Sequence, residues 1–90
     1  MFNRYTTLDL AESIYQRLLM RDSENPDLRF MLGAIAYETG KYDVAEEQLR
    51  HAISIKNTNP AYHNGLGLVL RELGCLDDAV ASFKSALLLN

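Results

Sequence analysis

The sequence predicts an all-α fold in which antiparallel helix pairs stack into a short α-α solenoid of about five helices. No stretch alternates apolar and polar residues with the period of a half-buried β-strand. The chain also resembles itself after a shift of 34 residues, which is the signature of a repeat architecture. Helix-capping and turn residues recur at the same places in each copy, so each copy is predicted to hold two helices.

The 34-residue shift superimposes residue types that have special structural roles. The coinciding pairs are Asn25-Pro26 with Asn59-Pro60, Leu32-Gly33 with Leu66-Gly67, and Gly40 with Gly74. A third, incomplete copy lies upstream, which gives about two and a half repeats. We therefore predict a single domain over 1–90, with a partial repeat at 1–24, a full repeat at 25–58 and a nearly full repeat at 59–90 that lacks a C-terminal capping helix.

The capping signals place the individual helices. The predicted helices cover residues 9–21, 26–38, 43–55, 60–72 and 77–89. The second and fourth begin with an asparagine N-cap and a proline, and they end at a glycine suited to a left-handed conformation. The first and third are expected to begin at Asp9 and Asp43, because each has a glutamate three residues later in a variant of the capping box.

Gly33 and Gly67 lie in the middle of predicted helices, where a glycine costs about 1 kcal/mol relative to alanine. Their recurrence at the same place in both repeats indicates that neighbouring helices approach closely there. A phosphate-binding loop is a poor explanation. The dinucleotide fingerprint needs a preceding strand and another glycine three residues after Gly67, where the chain has Leu70.

Composition narrows the possible partners. The net charge is -3 and no cluster of lysine and arginine stands out, which argues against nucleic acid as a partner. No run approaches the roughly 20 apolar residues that cross a bilayer, and the first residues do not form a signal peptide. We predict a cytoplasmic protein with no membrane partner. The single Cys75 is compatible with a reducing compartment.

The sequence contains no recognisable catalytic or metal-binding constellation. His51, His63 and Cys75 lack the paired spacing of zinc ligands. The carboxylate pairs Glu46-Glu47 and Asp77-Asp78 fall in first helical turns, where they interact favourably with the helix dipole. We therefore predict no enzymatic activity, no catalytic residues, no metal and no cofactor.

The repeat pattern resembles the tetratricopeptide repeat (TPR). The residues that carry the resemblance are the Leu-Gly pairs at 32–33 and 66–67, and the alanines followed four residues later by a large residue: Ala11 and Tyr15, Ala45 and Leu49, Ala79 and Phe83. The resemblance implies a right-handed TPR superhelix. It also implies a scaffold for protein-protein interaction, with a groove that binds a peptide or a helical partner.

In this family the groove is lined by one stripe of the first helix in each repeat. The matching residues that we predict to bind a partner are Phe30, Met31, Ala34, Tyr37, Glu38, Asn64, Leu68 and Arg71, and Asp27, Ala61, Gly65 and Glu72 share the stripe. Such a groove would suit an apolar segment with a few polar anchors. The alternative is that Phe30, Met31 and Leu68 belong to the core, since apolar stripes at helical spacing are commonly core.

The resemblance also argues against one kind of partner. Family members that receive chaperone tails hold a C-terminal carboxylate with Lys or Arg and Asn on this stripe, where this chain has Phe30, Ala34, Asn64 and Leu68. A chaperone-tail receptor is therefore not expected.

The ends of the predicted solenoid leave apolar residues without a neighbouring helix. Phe83, Leu87 and Leu88 have no following helix to cover them, and such surface usually marks an interaction site. Either the sequence is a piece of a longer array, or the unit self-associates as a homo-oligomer. The leading hypothesis is an interaction scaffold. The alternative is the docking region of a larger enzyme, similar to O-linked N-acetylglucosamine transferase, whose catalytic domain is not in this chain.

Overall fold

The computed structural model describes residues 3–90, without the side chains of residues 4 and 5. The helices are α1 (Arg4–Arg21), α2 (Pro26–Glu38), α3 (Tyr42–Ile55), α4 (Pro60–Glu72) and α5 (Leu76–Leu89). Short turns make successive helices antiparallel. Helix α2 packs closely on α3 and α4 on α5, while α1 contacts α2 and α3 contacts α4. No β-strand occurs in residues 3–90, so the predicted all-α solenoid is confirmed.

The asparagine and glycine signals act as the sequence predicts. The side chain of Asn25 accepts a hydrogen bond from the backbone N–H of Asp27 at 3.0 Å. Asn59 accepts one from the N–H of Ala61 at 2.9 Å. After α2 and α4 the chain turns through left-handed residues, which are Gly40 at φ 79° and Gly74 at φ 81°. These local signals fix both ends of the two proline-initiated helices.

The prediction that the first helix begins at Asp9 is wrong. Helix α1 begins at Arg4, and its N-cap is Asn3, whose side chain accepts a hydrogen bond from the N–H of Thr6 at 2.9 Å. No glycine or proline separates Asn3 from Asp9. The helix therefore extends upstream to the earlier capping residue, and Asp9 lies within it.

Asp43 is also not an N-cap. The N–H of Lys41 donates to the carbonyl of Ala36 at 2.8 Å, which closes the end of α2. The carbonyl of the same Lys41 accepts from the N–H of Ala45 at 3.0 Å, which opens α3. Because one residue serves both helices, α3 begins at Tyr42, and Asp43 lies in its first turn instead.

The core follows the middle of the solenoid. Its central cluster joins α2, α3, α4 and α5, and its buried members are Ala36, Ala45, Leu49, Leu66, Val69, Leu70 and Ala79. Helix α1 contributes no buried side chain among its described residues. The helix therefore lies at the edge of the packed region, held mainly by its contact with α2.

The glycines in α2 and α4 bring paired helices together. A Cβ atom on Gly33 would lie 3.0 Å from Cγ of Leu49 and 3.4 Å from the carbonyl oxygen of Ala45. A Cβ atom on Gly67 would lie 2.6 Å from Cε1 of Phe83, closer than real Cβ contacts permit. The close approach predicted from the sequence is therefore present in both helix pairs.

Tyr62 links α4 to α2, a role that the sequence analysis did not identify. It is only 1% exposed, and its hydroxyl donates a hydrogen bond to the carboxylate of Asp27 on α2. Its ring packs on that of Phe30, with 5.2 Å between the ring centroids. Burial, together with the adjacent Asp27 carboxylate, raises the pKa of Tyr62 to about 12.

We expect Gly67→Val to lower the free energy of unfolding by about 1–3 kcal/mol, because its side chain would overlap the ring of Phe83. Valine has a slightly better helix propensity than glycine, so helix propensity does not account for a loss. Urea denaturation of the wild type and the variant measures the effect. In a Phe83→Ala background the same change should cost less, because the ring is gone. Equal costs in the two backgrounds would contradict the close approach.

Tyr62 should also make stability fall at high pH. Its folded-state pKa of about 12 lies above the value of about 10 for an unfolded tyrosine. The stabilisation is therefore complete below about pH 10 and is lost as the pH rises through about 12, a change of roughly 2–3 kcal/mol. Urea unfolding of the wild type and Tyr62→Phe over this range gives a difference in which the other tyrosines and lysines cancel. Parallel pH profiles would show that the Tyr62 hydroxyl does not titrate in this way.

Candidate functional site

A groove with a volume of about 290 Å³ lies between α2 and α4. We call it the α2–α4 groove. Its lining residues are Phe30, Ala34, Tyr37, Glu38, Leu49, Ala61, Asn64, Gly65, Leu68 and Val69. Helical spacing explains the two walls, because residues three or four apart in a helix lie on the same face. Phe30, Ala34 and Tyr37 follow this spacing on α2, and Ala61, Gly65 and Leu68 follow it on α4.

The structure brings together most of the residues that the sequence analysis assigned to a partner-binding groove. Phe30, Ala34, Tyr37, Glu38, Asn64 and Leu68 all line the α2–α4 groove. Met31 and Arg71 are not among its lining residues. Met31 follows Phe30 directly, so the helical twist turns its side chain to another side of α2. Arg71 lies in the last turn of α4, exposed and 3.8 Å from the carboxylate of Glu72.

The sequence left open whether Phe30 lies in the groove or in the core, and in the structure Phe30 and Tyr37 belong to both environments. Each is half-buried and packs against the core cluster, and each also lines the groove. The ring of Tyr37 lies 5.7 Å from that of Tyr42, which holds it in place. Leu68 differs from them. It is half-buried in the groove wall, and it is not part of the core cluster or of the side chains packed against that cluster. Leu68 therefore offers the cleaner test of the groove.

Leu49 and Val69 are groove residues that the sequence analysis missed. Leu49 belongs to α3 and is buried, and it lines the groove next to Gly65, which has no side chain there. A Cβ atom on Gly65 would lie 3.2 Å from Cδ2 of Leu49 and 3.5 Å from Cε1 of Phe30. In the sequence, Leu49 follows Ala45 by four residues, and this spacing indicates that Leu49 faces inward. Only the packing of α4 on α3 shows that it forms the floor of the groove.

The chemistry of the α2–α4 groove is apolar with two polar side chains. Most of its lining is aliphatic or aromatic, and Asn64 and Glu38 supply the polar groups. Asn64 is exposed, and its amide can both donate hydrogen bonds and accept them. No lysine, arginine or histidine lines this groove in the described part of the chain. The arrangement can therefore bury apolar side chains and hydrogen-bond a polar group beside them.

A second groove with a volume of about 390 Å³ lies between α4 and α5. We call it the α4–α5 groove. Its lining residues are Pro60, Ala61, Asn64, Phe83, Ala86, Leu87 and Asn90. Phe83 and Leu87, which the sequence analysis assigned to a self-association end, meet here. Leu88, assigned to the same end, is 88% exposed and lies beside His63 and Leu89 in a smaller depression of about 270 Å³.

The two histidines and the cysteine are not among the residues that line either groove. Nε2 of His63 lies 2.9 Å from the carbonyl oxygen of Asn57, while His51 and Cys75 are exposed. Within residues 3–90, no three His, Cys, Asp or Glu side chains are grouped as metal ligands. Among the described helices, none combines the length and the apolar character that crossing a membrane requires.

Comparisons with known proteins identify the architecture. A sequence model of the tetratricopeptide repeat matches residues 7–69. A crystal structure of MamA is 30% identical, with a TM-score of 0.85 over 90% of this chain and 47% of that chain. The second TPR of Spaghetti (RPAP3), solved with the HSP90 peptide SRMEEVD bound, is 25% identical with a TM-score of 0.89 over 92% of this chain and 77% of that chain.

A further MamA structure, designated AMB-1, is 23% identical with a TM-score of 0.85 over 93% of this chain and 49% of that chain, and it shares the fold. The chain thus spans about half the length of these two MamA structures. A search of the curated proteins found no match. The family match covers most of the chain and agrees with the helix pairs and their 34-residue period. This chain therefore belongs to the tetratricopeptide repeat family, whose fold is typical of protein-interaction modules.

Proposed function

We propose that this chain is a non-enzymatic interaction module that holds a peptide or a helical segment of a partner protein in the α2–α4 groove. The observation that carries the proposal is the groove itself, where apolar walls from two helices flank the exposed amide of Asn64. Apolar clefts with a few placed polar groups are the usual form of a binding site. The domain repeats at 1–24, 25–58 and 59–90 would supply the scaffold on which those walls stand.

The similar fold of the Spaghetti TPR supports the choice of a peptide as the partner, because that structure contains a bound peptide. The peptide in that complex, SRMEEVD, has acidic residues near its end. The lining of the α2–α4 groove supplies no lysine or arginine in the described part of the chain to pair with such residues. We therefore propose a partner segment with apolar side chains and a hydrogen-bonding group at Asn64, rather than an acidic tail.

The size of the α2–α4 groove sets the expected strength of binding. Its volume of about 290 Å³ lies at the lower end of ligand pockets, which span about 300–1,000 Å³. Burying one large aliphatic side chain contributes about 1.5–3 kcal/mol, and ordering a flexible peptide costs part of that gain. Modest affinity and reversible binding are therefore expected for this groove.

Self-association is a second candidate function, favoured by the exposed apolar residues of the two outer helices. On α1 these residues are Leu10, Ile14, Leu18 and Met20, and on α5 they are Leu76, Val80, Leu87, Leu88 and Leu89. Exposed apolar surface of this kind marks interaction sites. Homo-oligomers would cover the outer helices, and they would meet the α2–α4 groove only at Ala61 and Asn64, which line both grooves.

We propose protein as the partner, in keeping with the family, and not nucleic acid, because the net charge is -3. A cytoplasmic location without a membrane partner is part of the same proposal. The alternative proposal is the docking region of a larger enzyme whose catalytic domain is not in this chain. An in-frame catalytic domain beside this chain in its natural open reading frame would support that alternative.

Selection from a phage-displayed peptide library tests the proposed function. We expect the wild type to enrich peptides rich in apolar residues, and Leu68→Asp to weaken their binding at least about tenfold, because a carboxylate would be desolvated in the apolar wall. Isothermal titration of the enriched peptides, with SRMEEVD as a contrast, measures this. SRMEEVD should bind more weakly than the enriched peptides.

Val44→Asp is the matched control, since Val44 is exposed on α3 and does not line the α2–α4 groove. It should bind the enriched peptides as the wild type does. The proposal would be rejected if the library yields no binding peptide, or if Leu68→Asp binds the selected peptides as tightly as Val44→Asp. Circular dichroism establishes that both variants keep the helical fold.

A further inference from the structure

Helix α4 shows how this fold docks a helix onto the helix pair that precedes it. Tyr62 places its hydroxyl against the carboxylate of Asp27 and its ring against that of Phe30. Gly65, one turn further along, lies against Leu49. Asp27, Phe30 and Leu49 therefore belong to the surface that receives α4, which we call the α4 docking surface.

The α4–α5 groove is the repeat equivalent of the α4 docking surface. A shift of 34 residues relates the two sets, and the corresponding residues are Asp27 and Ala61, Phe30 and Asn64, and Leu49 and Phe83. All three shifted residues line the α4–α5 groove. Continuity with the established α3–α4 packing therefore predicts that this groove receives a helix running antiparallel to α5.

The differences between the two surfaces define the chemistry of the incoming helix. Ala61 has no acceptor for a hydroxyl where Asp27 has one, and Asn64 offers no ring for stacking where Phe30 does. A tyrosine in the position of Tyr62 would bury its hydroxyl without a partner, which is costly. The first anchoring residue of the incoming helix should therefore be aliphatic.

Helix α1 carries this pattern on its exposed side. On α4, Tyr62 and Gly65 contact the α4 docking surface, and Leu66 and Leu70 are buried in the core cluster. The residues of α1 at the same spacing are Leu10, Ser13, Ile14 and Leu18. The first anchor is thus aliphatic and the second is small. Leu10, Ile14 and Leu18 are 53%, 56% and 45% exposed, so they are free to enter a groove on another molecule.

Charge selects the antiparallel orientation. Arg17 and Arg21 lie in the C-terminal half of α1, and a helix docked antiparallel to α5 would bring them near Asp77 and Asp78 in its first turn. The opposite orientation would bring them near Lys84 instead. Within the described residues, the two arginines and the two aspartates make no ion pairs of their own, so all four charges are available for the contact.

We infer that α1 of a second copy of this chain docks into the α4–α5 groove, so that molecules stack head to tail. This inference rests on the self-association part of the proposed function. The two contacting surfaces differ, so the interface is heterologous, and it leaves one free α1 and one free α4–α5 groove at the ends of every open assembly. Stacking can therefore continue beyond a dimer.

A complementation experiment tests the inference. Ile14→Asp impairs the α1 surface and leaves the groove intact, whereas Leu87→Asp impairs the groove and leaves α1 intact. Both residues are exposed, at 56% and 72%, so both variants should keep the wild-type helicity and melting temperature. By sedimentation velocity over a concentration series, the wild type should form species larger than a dimer. Each variant alone should associate at least about tenfold more weakly.

The decisive sample is an equal mixture of the two variants. One intact α1 and one intact groove then meet, so the mixture should form a one-to-one dimer that does not grow further. Val44→Asp, which alters an exposed residue of α3 outside both surfaces, should associate as the wild type does.

Three results would overturn the inference. They are a wild type that stays monomeric from micromolar to millimolar concentration, a mixture that forms no dimer, and variants that associate as strongly as the wild type. The last result would reject this interface while leaving self-association in place. Peptide binding by the α2–α4 groove is tested separately, with the Leu68→Asp variant. Failure of that proposal can therefore be distinguished from failure of the stacking proposal.

Discussion

The structure depends on how closely the helices of each pair approach one another. In both pairs a glycine of the first helix faces a large side chain of the second: Gly33 faces Leu49, and Gly67 faces Phe83. A glycine in mid-helix costs about 1 kcal/mol relative to alanine. Burial of the facing side chain and its dispersion contacts with the bare backbone offset that cost. Both pairs therefore rely on the same kind of contact.

Stacking couples stability to the shape of the candidate site. Tyr62 joins α4 to α2 through Asp27 and Phe30, and Phe30 also forms part of the α2–α4 groove. Gly65 packs on Leu49 without a side chain of its own, so a buried core residue forms part of the groove lining. The groove is thus a product of inter-repeat packing. Some groove residues therefore cannot be changed without disturbing the fold. Leu68 is a better position for a substitution, because it lies outside the core cluster.

Several sequence-based predictions succeeded because the relevant interactions are local. Asn25 caps α2 through N–H groups two and three residues away, and the left-handed conformation of Gly40 depends on its own lack of a side chain. The predictions for Asp9 and Asp43 failed because another residue fixed the helix start, Asn3 for α1 and Lys41 for α3. A capping signal states where a helix can begin, whereas the neighbouring sequence decides whether it begins earlier.

The sequence by itself determined the number of helices, their pairing, the family and the places where glycine allows close contact, since these follow from periodicity and from interactions within a few residues. Tertiary structure alone decided that Met31 and Arg71 lie outside the α2–α4 groove and that Leu49 lies inside it. It also decided that Tyr62 bonds to Asp27, which is 35 residues away along the chain. Helical spacing specifies a face, but the depth of a side chain and its distant partner depend on how the helices pack.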